Sequence, residues 1–264
     1  MIQNIKSSNN FLIVGLGNFN LPYTRHSISQ LILENLDNFL SSAHLSNPTH
    51  SIKFNQLNPS KFFHHRNLLL QSSQSSSNSS SSPWNYSKID SAWLSKHSLT
   101  LSKNSFDPIP STHHFILHLL KPKALMNVNG PIVKSYYNKL SKNHQPINLI
   151  LIHDELDLQP LSVKLKSPPQ SSKSKGHNGL KSVFSSLSSH PKNHLFTLAI
   201  GIGRDPQNLS KSSLDVARWV LSPLNRSEIK ACIWDDQSHL NHSHQGKVVI
   251  QVWQNILAIL NSNI

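Results

Sequence analysis

A chain of 264 residues is long enough for one large domain or two small ones, each with a real hydrophobic core. Lys and Arg total 25 against 12 acidic residues, and this formal net charge of +13 favours a polyanionic partner such as RNA, DNA or an anionic membrane. The single cysteine, Cys232, excludes an internal disulfide bond and a cysteine-rich metal site. No apolar run reaches the roughly 18 residues that a membrane-spanning helix needs, so we expect an intracellular protein without a membrane segment.

The first regular element is predicted at residues 11–16, where an apolar run ends in Gly-Leu-Gly-Asn and indicates a buried strand followed by a loop. Residues 1–10 are too short and too polar for a secretory signal, and we expect a short N-terminal extension there. From Ser27 the apolar spacing becomes helical, and Ser27 with Gln30 resembles a capping box at the start of that helix. The apolar face of the helix consists of Ile28, Leu31, Ile32, Leu36, Phe39 and Leu40.

Residues 41–112 have a less regular pattern. Within them, the serine-rich tract at residues 71–82 cannot bury enough apolar surface to offset its ordering entropy, so it is predicted to be a disordered insertion.

From residue 115 onward, strands and helices alternate. Strands are predicted at 115–120, 149–152, 163–166 and 195–203, and helices at 132–140, 180–187, 214–220 and 248–260. This alternation predicts an α/β fold, a single-domain sandwich over residues 11–264 with a mixed central β-sheet flanked by helices. A second polar stretch, around residues 167–175, is predicted to form a lid insertion.

Three asparagines lie beside glycines at the predicted ends of strands or starts of helices: Asn18, Asn127 and Asn178. Ligands bind at such strand ends in open α/β sheets, and an amide can both donate and accept hydrogen bonds to a peptide or an ester. An asparagine of this kind, taken alone, is more often a turn former or a helix cap than a ligand-binding residue.

His26 and Asp154 are the candidate acid–base pair, because a histidine held by a carboxylate can take a proton from water near neutral pH. His26 lies near the start of the first helix, and Asp154 ends the apolar strand at 149–152. His153 and His177 lie beside motif residues, and their chemistry alone assigns them no role. The sequence has no Gly-x-Ser-x-Gly turn, and Cys232 indicates core packing, so direct attack by water is the simplest scheme.

Five segments, in the same order along the chain, resemble the motifs of bacterial-type peptidyl-tRNA hydrolases. They are residues 12–18 with 23–26, 120–122 with 126–130, 152–158, 176–182 and 200–204. Each match is modest, whereas the ordered set is highly specific and covers most of residues 11–225 outside the serine-rich stretches.

The resemblance implies hydrolysis of the ester between a nascent peptide and its tRNA, without metal or organic cofactor, by a monomer. It implies that His26 is the base that activates water and that Asp154 orients and polarises it. Substrate would be bound by Asn18, Tyr23, Met126, Asn127 and Asn178, and the tRNA phosphates would be contacted by Lys166 and Arg204.

The chain departs from the family pattern at three places. Asn18 is followed by Phe-Asn where the family usually has Pro-Gly, Ser27 replaces a common Asn, and the glycine-rich lid has become Ser-Pro-Pro-Gln-Ser-Ser-Lys-Ser-Lys. Such changes suit a divergent eukaryotic member, mitochondrial or cytoplasmic. Two other functions stay open: an RNA-binding or splicing adaptor derived from the same fold, and a nucleotide-binding oxidoreductase, which would depend on Gly-x-Gly alone.

Overall fold

The computed structural model describes residues 9–45, 68–71, 84–103, 111–141, 147–166, 176–188, 194–207, 212–234 and 245–262. The predicted lid insertion around 167–175 lies outside the described residues, and so does the serine-rich tract apart from Gln71. Gln71, at the boundary of that tract, is the last residue of a β-strand. Asn10, at the boundary of the predicted N-terminal extension, is the first residue of a β-strand.

Eight strands of the described chain form one mixed β-sheet. They are β1 (Asn10–Gly15), β2 (Leu68–Gln71), β3 (Asn85–Ser87), β4 (Ala92–Lys103), β5 (Ser111–Pro122), β6 (Asn148–Glu155), β7 (Val163–Lys166) and β8 (Leu195–Gly201). Their order across the sheet is β2-β4-β5-β1-β6-β8-β7, and β3 pairs with the beginning of β4. Strands β5, β1, β6 and β8 are parallel, whereas β4 and β7 run antiparallel to their neighbours. The four parallel strands therefore end at the same edge of the sheet.

Helices cover both faces of this sheet. They are α1 (Ile28–Leu45), α2 (Asn129–Leu140), α3 (Asn178–Ser186), α4 (Ser213–Leu221), α5 (Arg226–Cys232) and α6 (Lys247–Ser262). Helices α1, α5 and α6 pack on one face, and α2 and α3 pack on the other. No helix of the described segments is both long enough and apolar enough to cross a membrane.

The alternation of side chains along β1 explains why its sequence is apolar throughout. Phe11 and Ile13 join the core under α1 and α6, whereas Leu12 and Val14 join the core under α2 and α3. A strand that is covered on both faces has no solvent-facing side, so a continuous apolar run is expected.

The α/β sandwich with a mixed central sheet is confirmed. The less regular stretch at 41–112 contains three strands, β2, β3 and β4, that the pattern did not predict. The predicted capping box is wrong, because Ser27 and Gln30 bond to distant segments. The Ser27 hydroxyl bonds to the backbone of Asn18, and the Gln30 amide donates to the carbonyl of Pro122.

Candidate active site

The candidate site lies where the parallel strands end. Asp154 is the penultimate residue of β6, and the loop after the neighbouring strand β1 carries Asn18. The segment after β5 carries Met126 in a short 3-10 helix (Met126–Val128), and Arg204 follows β8. The expected position of a ligand-binding site at this edge therefore agrees with the placement of these four residues.

His26 lies in a 3-10 turn (Arg25–Ser27) that leads directly into α1. Ser27 fixes this turn to the loop after β1, because its hydroxyl accepts from the Asn18 backbone N–H at 3.1 Å and donates to the Asn18 carbonyl at 3.1 Å. The catalytic-candidate histidine and the loop of Asn18 are thereby held as one unit.

Arg25 anchors the same turn from the other side. Its buried guanidinium makes two hydrogen bonds to Glu228, at 3.1 and 3.0 Å, and lies 3.9 Å from the ring centre of Trp219. Its backbone N–H donates to the carbonyl of Ser222 at 3.1 Å. Because Nη2 of Arg25 donates to both oxygens of Glu228 and its guanidinium packs on Trp219, the turn that carries His26 is tied to α4 and α5.

The predicted pair of His26 and Asp154 comes together. Nδ1 of His26 lies 2.9 Å from each oxygen of the Asp154 carboxylate. A carboxylate accepts hydrogen bonds, so Nδ1 carries the proton, and the neutral ring has its lone pair on Nε2. Within the described part of the chain, this Nε2 makes no hydrogen bond, and 13% of the side-chain surface of His26 is exposed to solvent.

A second histidine contacts the same carboxylate. Nε2 of His177 lies 2.9 Å from Oδ1 of Asp154, and the rings of His26 and His177 have centres 5.0 Å apart. His177 is also the residue that caps α3, since its Nδ1 accepts the backbone N–H of Leu180 at 3.2 Å.

The charge state of the cluster follows from burial and from these contacts. Burial alone raises the pKa of Asp154, but the two histidines outweigh it and hold that pKa well below its usual value. Burial lowers the pKa of His153 to about 4, with a smaller contribution from His177. His153 is therefore neutral at physiological pH, and its Nδ1 donates to the backbone carbonyl of Asp154 at 2.8 Å.

Asn18 joins two loops of the site. It is buried, and its side-chain oxygen accepts the backbone N–H of Met126 at 2.7 Å. Next to it, the Gly17 N–H donates to Oδ1 of Asn129 at 3.1 Å, and Asn129 donates to the carbonyl of Leu125 at 2.8 Å. The amide oxygen of Asn18 is thus already used, and its NH₂ group is the part that can donate to a substrate.

Met126 connects this loop pair to α3. Its side chain is buried, and a methyl group added at Gly179 would collide with its sulfur and press on the ring of His177. Glycine at position 179 therefore allows Met126 and His177 to lie against the start of α3. Asn18 thus bonds to Met126, Met126 and His177 both lie against Gly179, and His177 and His26 both contact Asp154.

The remaining predicted substrate residues are more exposed than Asn18 and Met126. Asn127 and Asn178 are exposed, beside Met126 and His177 respectively. Tyr23 is about half exposed and has a left-handed backbone with φ of 62°. Its carbonyl accepts the N–H of Leu224 at 2.8 Å, so a contact with the chain before α5 holds this turn.

Both predicted tRNA-binding cations are paired with carboxylates that follow Asp154. Lys166 lies 3.1 Å from Glu155, and Arg204 lies 2.7 Å from Asp157. The second pair is roughly half exposed on both sides, so it contributes little to stability and can be exchanged for another anion. The lysines of the lid stretch lie outside the described residues.

The side chains of His26, Asp154 and His177 also have the spacing of a metal-binding group, with their ligand atoms within 4.8 Å of one another. A metal bound through Nε2 of His177 would require the ring proton to move to Nδ1, which would break the cap of α3.

Sequence reasoning assigned no role to His177, did not single out Asn129, and interpreted Ser27 as a helix cap. His177 could have been found from its place directly before a predicted helix, which is where a side chain caps the first backbone N–H groups. Asn129 and Ser27 bond to segments 112 and 9 residues away, and no local pattern shows such partners.

Comparison with known proteins gives a consistent result. The family model described as "Peptidyl-tRNA hydrolase" matches residues 91–251. The matched range includes Met126, Asp154, His177 and Arg204 but begins after His26. The chain is 32% identical over 141 residues to the peptidyl-tRNA hydrolase of Lactobacillus johnsonii, covering 52% of this chain and 69% of that protein.

Two further relatives carry the same description. The Saccharomyces cerevisiae protein is 31% identical over 148 residues, covering 53% of this chain and 75% of that one. The Rickettsia typhi protein is 40% identical over 114 residues, covering 42% of this chain and 52% of that one. A crystal structure of a mutant peptidyl-tRNA hydrolase from Acinetobacter baumannii has a similar fold, with a TM-score of 0.50, 21% identity, and coverage of 97% of this chain and 95% of that one.

Proposed function

Because the chain belongs to the peptidyl-tRNA hydrolase family, we propose that it hydrolyses the ester between a nascent peptide and tRNA at the His26–Asp154 pair. The products are a free peptide and a reusable tRNA. The observation that carries this proposal is the contact of His26 Nδ1 with both carboxylate oxygens of Asp154, at 2.9 Å each. This contact directs the lone pair of Nε2 away from Asp154, where it can take a proton from water.

In the proposed reaction, Nε2 of His26 removes a proton from water while the water oxygen bonds to the ester carbonyl carbon. The carbonyl electrons move to the oxygen and form a tetrahedral oxyanion. When the carbonyl re-forms, the bond from carbon to the ribose oxygen breaks, and the imidazolium of His26 returns its proton to that oxygen. Asp154 stabilises the imidazolium through Nδ1 and remains ionised, as its lowered pKa allows.

The proposed substrate contacts follow from which polar atoms remain available. The NH₂ group of Asn18 can donate to the ester carbonyl or to the developing oxyanion. Asn127, Asn178 and Tyr23 are exposed and can bind the peptide backbone or the terminal ribose. Met126, whose side chain is buried, would contribute apolar surface to the site.

We further propose that Lys166 and Arg204 bind tRNA phosphates, in keeping with the net charge of +13. The scheme uses only side chains and water, so it requires no metal or organic cofactor. A monomeric state and a mitochondrial or cytoplasmic location remain part of the proposal. So does the domain organisation of residues 11–264, with insertions around 71–82 and 167–175.

The alternative of an RNA-binding or splicing adaptor finds no support in these relatives, which are all described as hydrolases. An adaptor also has no need of a buried carboxylate between two histidines, an arrangement that is costly to desolvate. The nucleotide-binding oxidoreductase is likewise not favoured, because the Gly15-Leu16-Gly17 loop is occupied by contacts to Asn129 and α1.

The test is single-turnover hydrolysis of a defined peptidyl-tRNA by the full chain. Replacing His26 (His26→Ala) should lower kcat by about 10² to 10⁴, the usual contribution of a general base, while leaving tRNA affinity nearly unchanged. Asp154→Asn should lose rate in the same direction, and the double variant should lose much less than the product of the two losses, since the residues act as a unit.

A histidine substituted elsewhere provides the control. His114 is exposed on β5, and His114→Ala should keep the wild-type rate. Wild-type hydrolysis by His26→Ala would show that His26 only begins the first helix and that the proposed mechanism is wrong.

A further inference from the structure

We propose that His177 is a positioning residue, which donates the second hydrogen bond to Asp154 and thereby sets the pH range in which His26 acts as a base. The inference rests on the proposed hydrolase function and assigns a role to a residue beyond the His26–Asp154 pair.

The backbone fixes the tautomer of His177. The N–H of Leu180 can only donate, and it contacts Nδ1 of His177 at 3.2 Å, so Nδ1 must be the acceptor. In a neutral ring the proton then lies on Nε2, which faces Oδ1 of Asp154 at 2.9 Å. The first turn of α3 thus ensures that His177 donates to the carboxylate without having to be charged.

The two histidines share one acceptor. Oδ1 of Asp154 lies 2.9 Å from both His26 Nδ1 and His177 Nε2, and Asp154 is almost completely buried. A hydrogen bond to an ionised carboxylate spreads and partly neutralises its charge. Without the donor from His177, the full charge would act on His26 and would stabilise its protonated form more strongly.

The consequence is a change in the working pH. A more strongly stabilised imidazolium loses its proton only at higher pH, so a smaller fraction of His26 is available as a base at neutral pH. His177 therefore raises the fraction of active base, although two hydrogen bonds, through Asp154, separate its ring from that of His26.

Other charged groups around the carboxylate do not replace this donor. His153 bonds to the backbone carbonyl of Asp154 and not to its carboxylate. Glu155, the next residue, is paired with Lys166. The carboxylate itself is contacted by His177, directly before α3, and by His26, in the turn before α1.

His177 also couples this chemistry to substrate binding. As the cap of α3, it lies directly before Asn178, the first residue of that helix and a proposed substrate contact. Loss of the whole ring would therefore change both the carboxylate and the helix end. A useful variant must separate these two effects.

His177→Asn makes that separation. Asparagine is among the best helix caps, so the amide oxygen can still accept a backbone N–H of α3, but the shorter side chain withdraws the donor from Asp154. We expect the melting temperature to stay close to wild type. The acid limb of the kcat/KM profile should move to higher pH by about 1, with activity at high pH retained to within a few-fold.

Two further variants serve as controls. His177→Gln can extend its amide NH₂ toward Asp154. The pH at which kcat/KM falls on the acid side should therefore lie between those of His177→Asn and the wild type. Ser182→Ala removes the contact of the Ser182 hydroxyl with the Gly130 N–H at 2.9 Å and loosens α3 without touching Asp154. Ser182→Ala should leave the acid limb where it is.

An NMR titration of the His26 ring in the substrate-free protein gives an independent reading. The pH at which the His26 signals titrate should rise in His177→Asn by the same amount as the acid limb. If the signals and the limb both stay in place, His177 is only a helix cap and the inference is wrong. Because this titration needs no turnover, it still tests the inference if the chain proves not to hydrolyse peptidyl-tRNA.

Discussion

Two buried aspartates of this chain each hold a histidine, and only one of these clusters lies at a strand end. Asp154 at the end of β6 contacts His26, which keeps some exposure and a ring nitrogen without a hydrogen-bond partner in the described chain. Asp37, in the middle of α1, contacts Nε2 of His97 on β4 at 2.7 Å, and both side chains are sealed between the helix and the sheet. Ser95 donates to the same oxygen of Asp37 at 2.6 Å.

The difference shows that residue types alone do not make a catalytic site. The second cluster has the serine, histidine and aspartate of a nucleophilic triad, but in the wrong order. Both Ser95 and His97 face the carboxylate of Asp37, and their contact with each other is a long 3.4 Å. In a triad the histidine must stand between the serine and the carboxylate. The Asp37 cluster therefore joins α1 to the sheet, whereas the Asp154 cluster has a partly exposed histidine whose Nε2 makes no hydrogen bond within the described chain.

The largest expected contrast comes from removing the histidine of each cluster. His97→Ala leaves the fully buried carboxylate of Asp37 with Ser95 as its main remaining donor, so we expect a loss of about 3 to 5 kcal/mol in the free energy of unfolding. His26→Ala should lose much less stability, because His177 still donates to Asp154. Chemical denaturation of both variants measures the stability, and single-turnover hydrolysis measures the rate.

The two variants should therefore differ in opposite ways: one should lose mainly stability and the other mainly hydrolysis rate. His97→Ala should retain the wild-type kcat per folded molecule, and His26→Ala should lose it. If His97→Ala is folded and stable but loses kcat, the cluster at Asp37 takes part in the reaction. It would then not be a purely structural cluster.

The same contrast explains how far the sequence alone could predict this molecule. Strands β1 and β6 were predictable because both faces are buried and their runs are continuously apolar. Strand β4 was not, because Ser95 and His97 point polar groups into the core, and their partner Asp37 lies 58 residues or more away on α1. Polar residues that are satisfied by a distant carboxylate resemble loop residues when read locally.

The residues of the candidate site also fall into a predictable group and a group that the sequence alone does not show. His26 and Asp154 were predictable from motifs and from the end of an apolar strand. Other features depend on contacts across the fold: the second donor from His177, the use of the Asn18 oxygen by Met126, and the pairing of both cations. A sequence shows which groups are present but not which of their atoms are already occupied.

A third kind of histidine, buried without a carboxylate, gives a smaller effect that depends on pH. Burial lowers the pKa of His118 on β5 from 6.5 to about 4, and Lys96 adds to the effect. The unfolded chain takes up a proton near pH 6.5 that the native ring refuses until about pH 4, so stability falls as the pH drops through this window. His118→Leu should make the melting temperature less dependent on pH between about 6.5 and 4, whereas His114→Leu on the same strand should not. An equally steep fall in His118→Leu would assign the acid sensitivity to other groups.

The smallest expected effects concern Lys166 and Arg204. Unlike the buried clusters at Asp37 and Asp154, their ion pairs are partly exposed and can dissociate. Neutralising Lys166 or Arg204 to Gln should weaken binding of deacylated tRNA and lower the slope of log affinity against log salt by roughly one per lost phosphate contact. The pairing adds a matched test, because Asp157→Asn removes the anion that competes with phosphate for Arg204, which it contacts at 2.7 Å. That variant should bind tRNA a few-fold more tightly at low salt, since an exposed pair of this kind holds its cation by only about 0 to 1 kcal/mol. Unchanged salt slopes in both cation variants would mean that these residues only pair with their own chain, and the tRNA phosphates would have to be met by other basic residues.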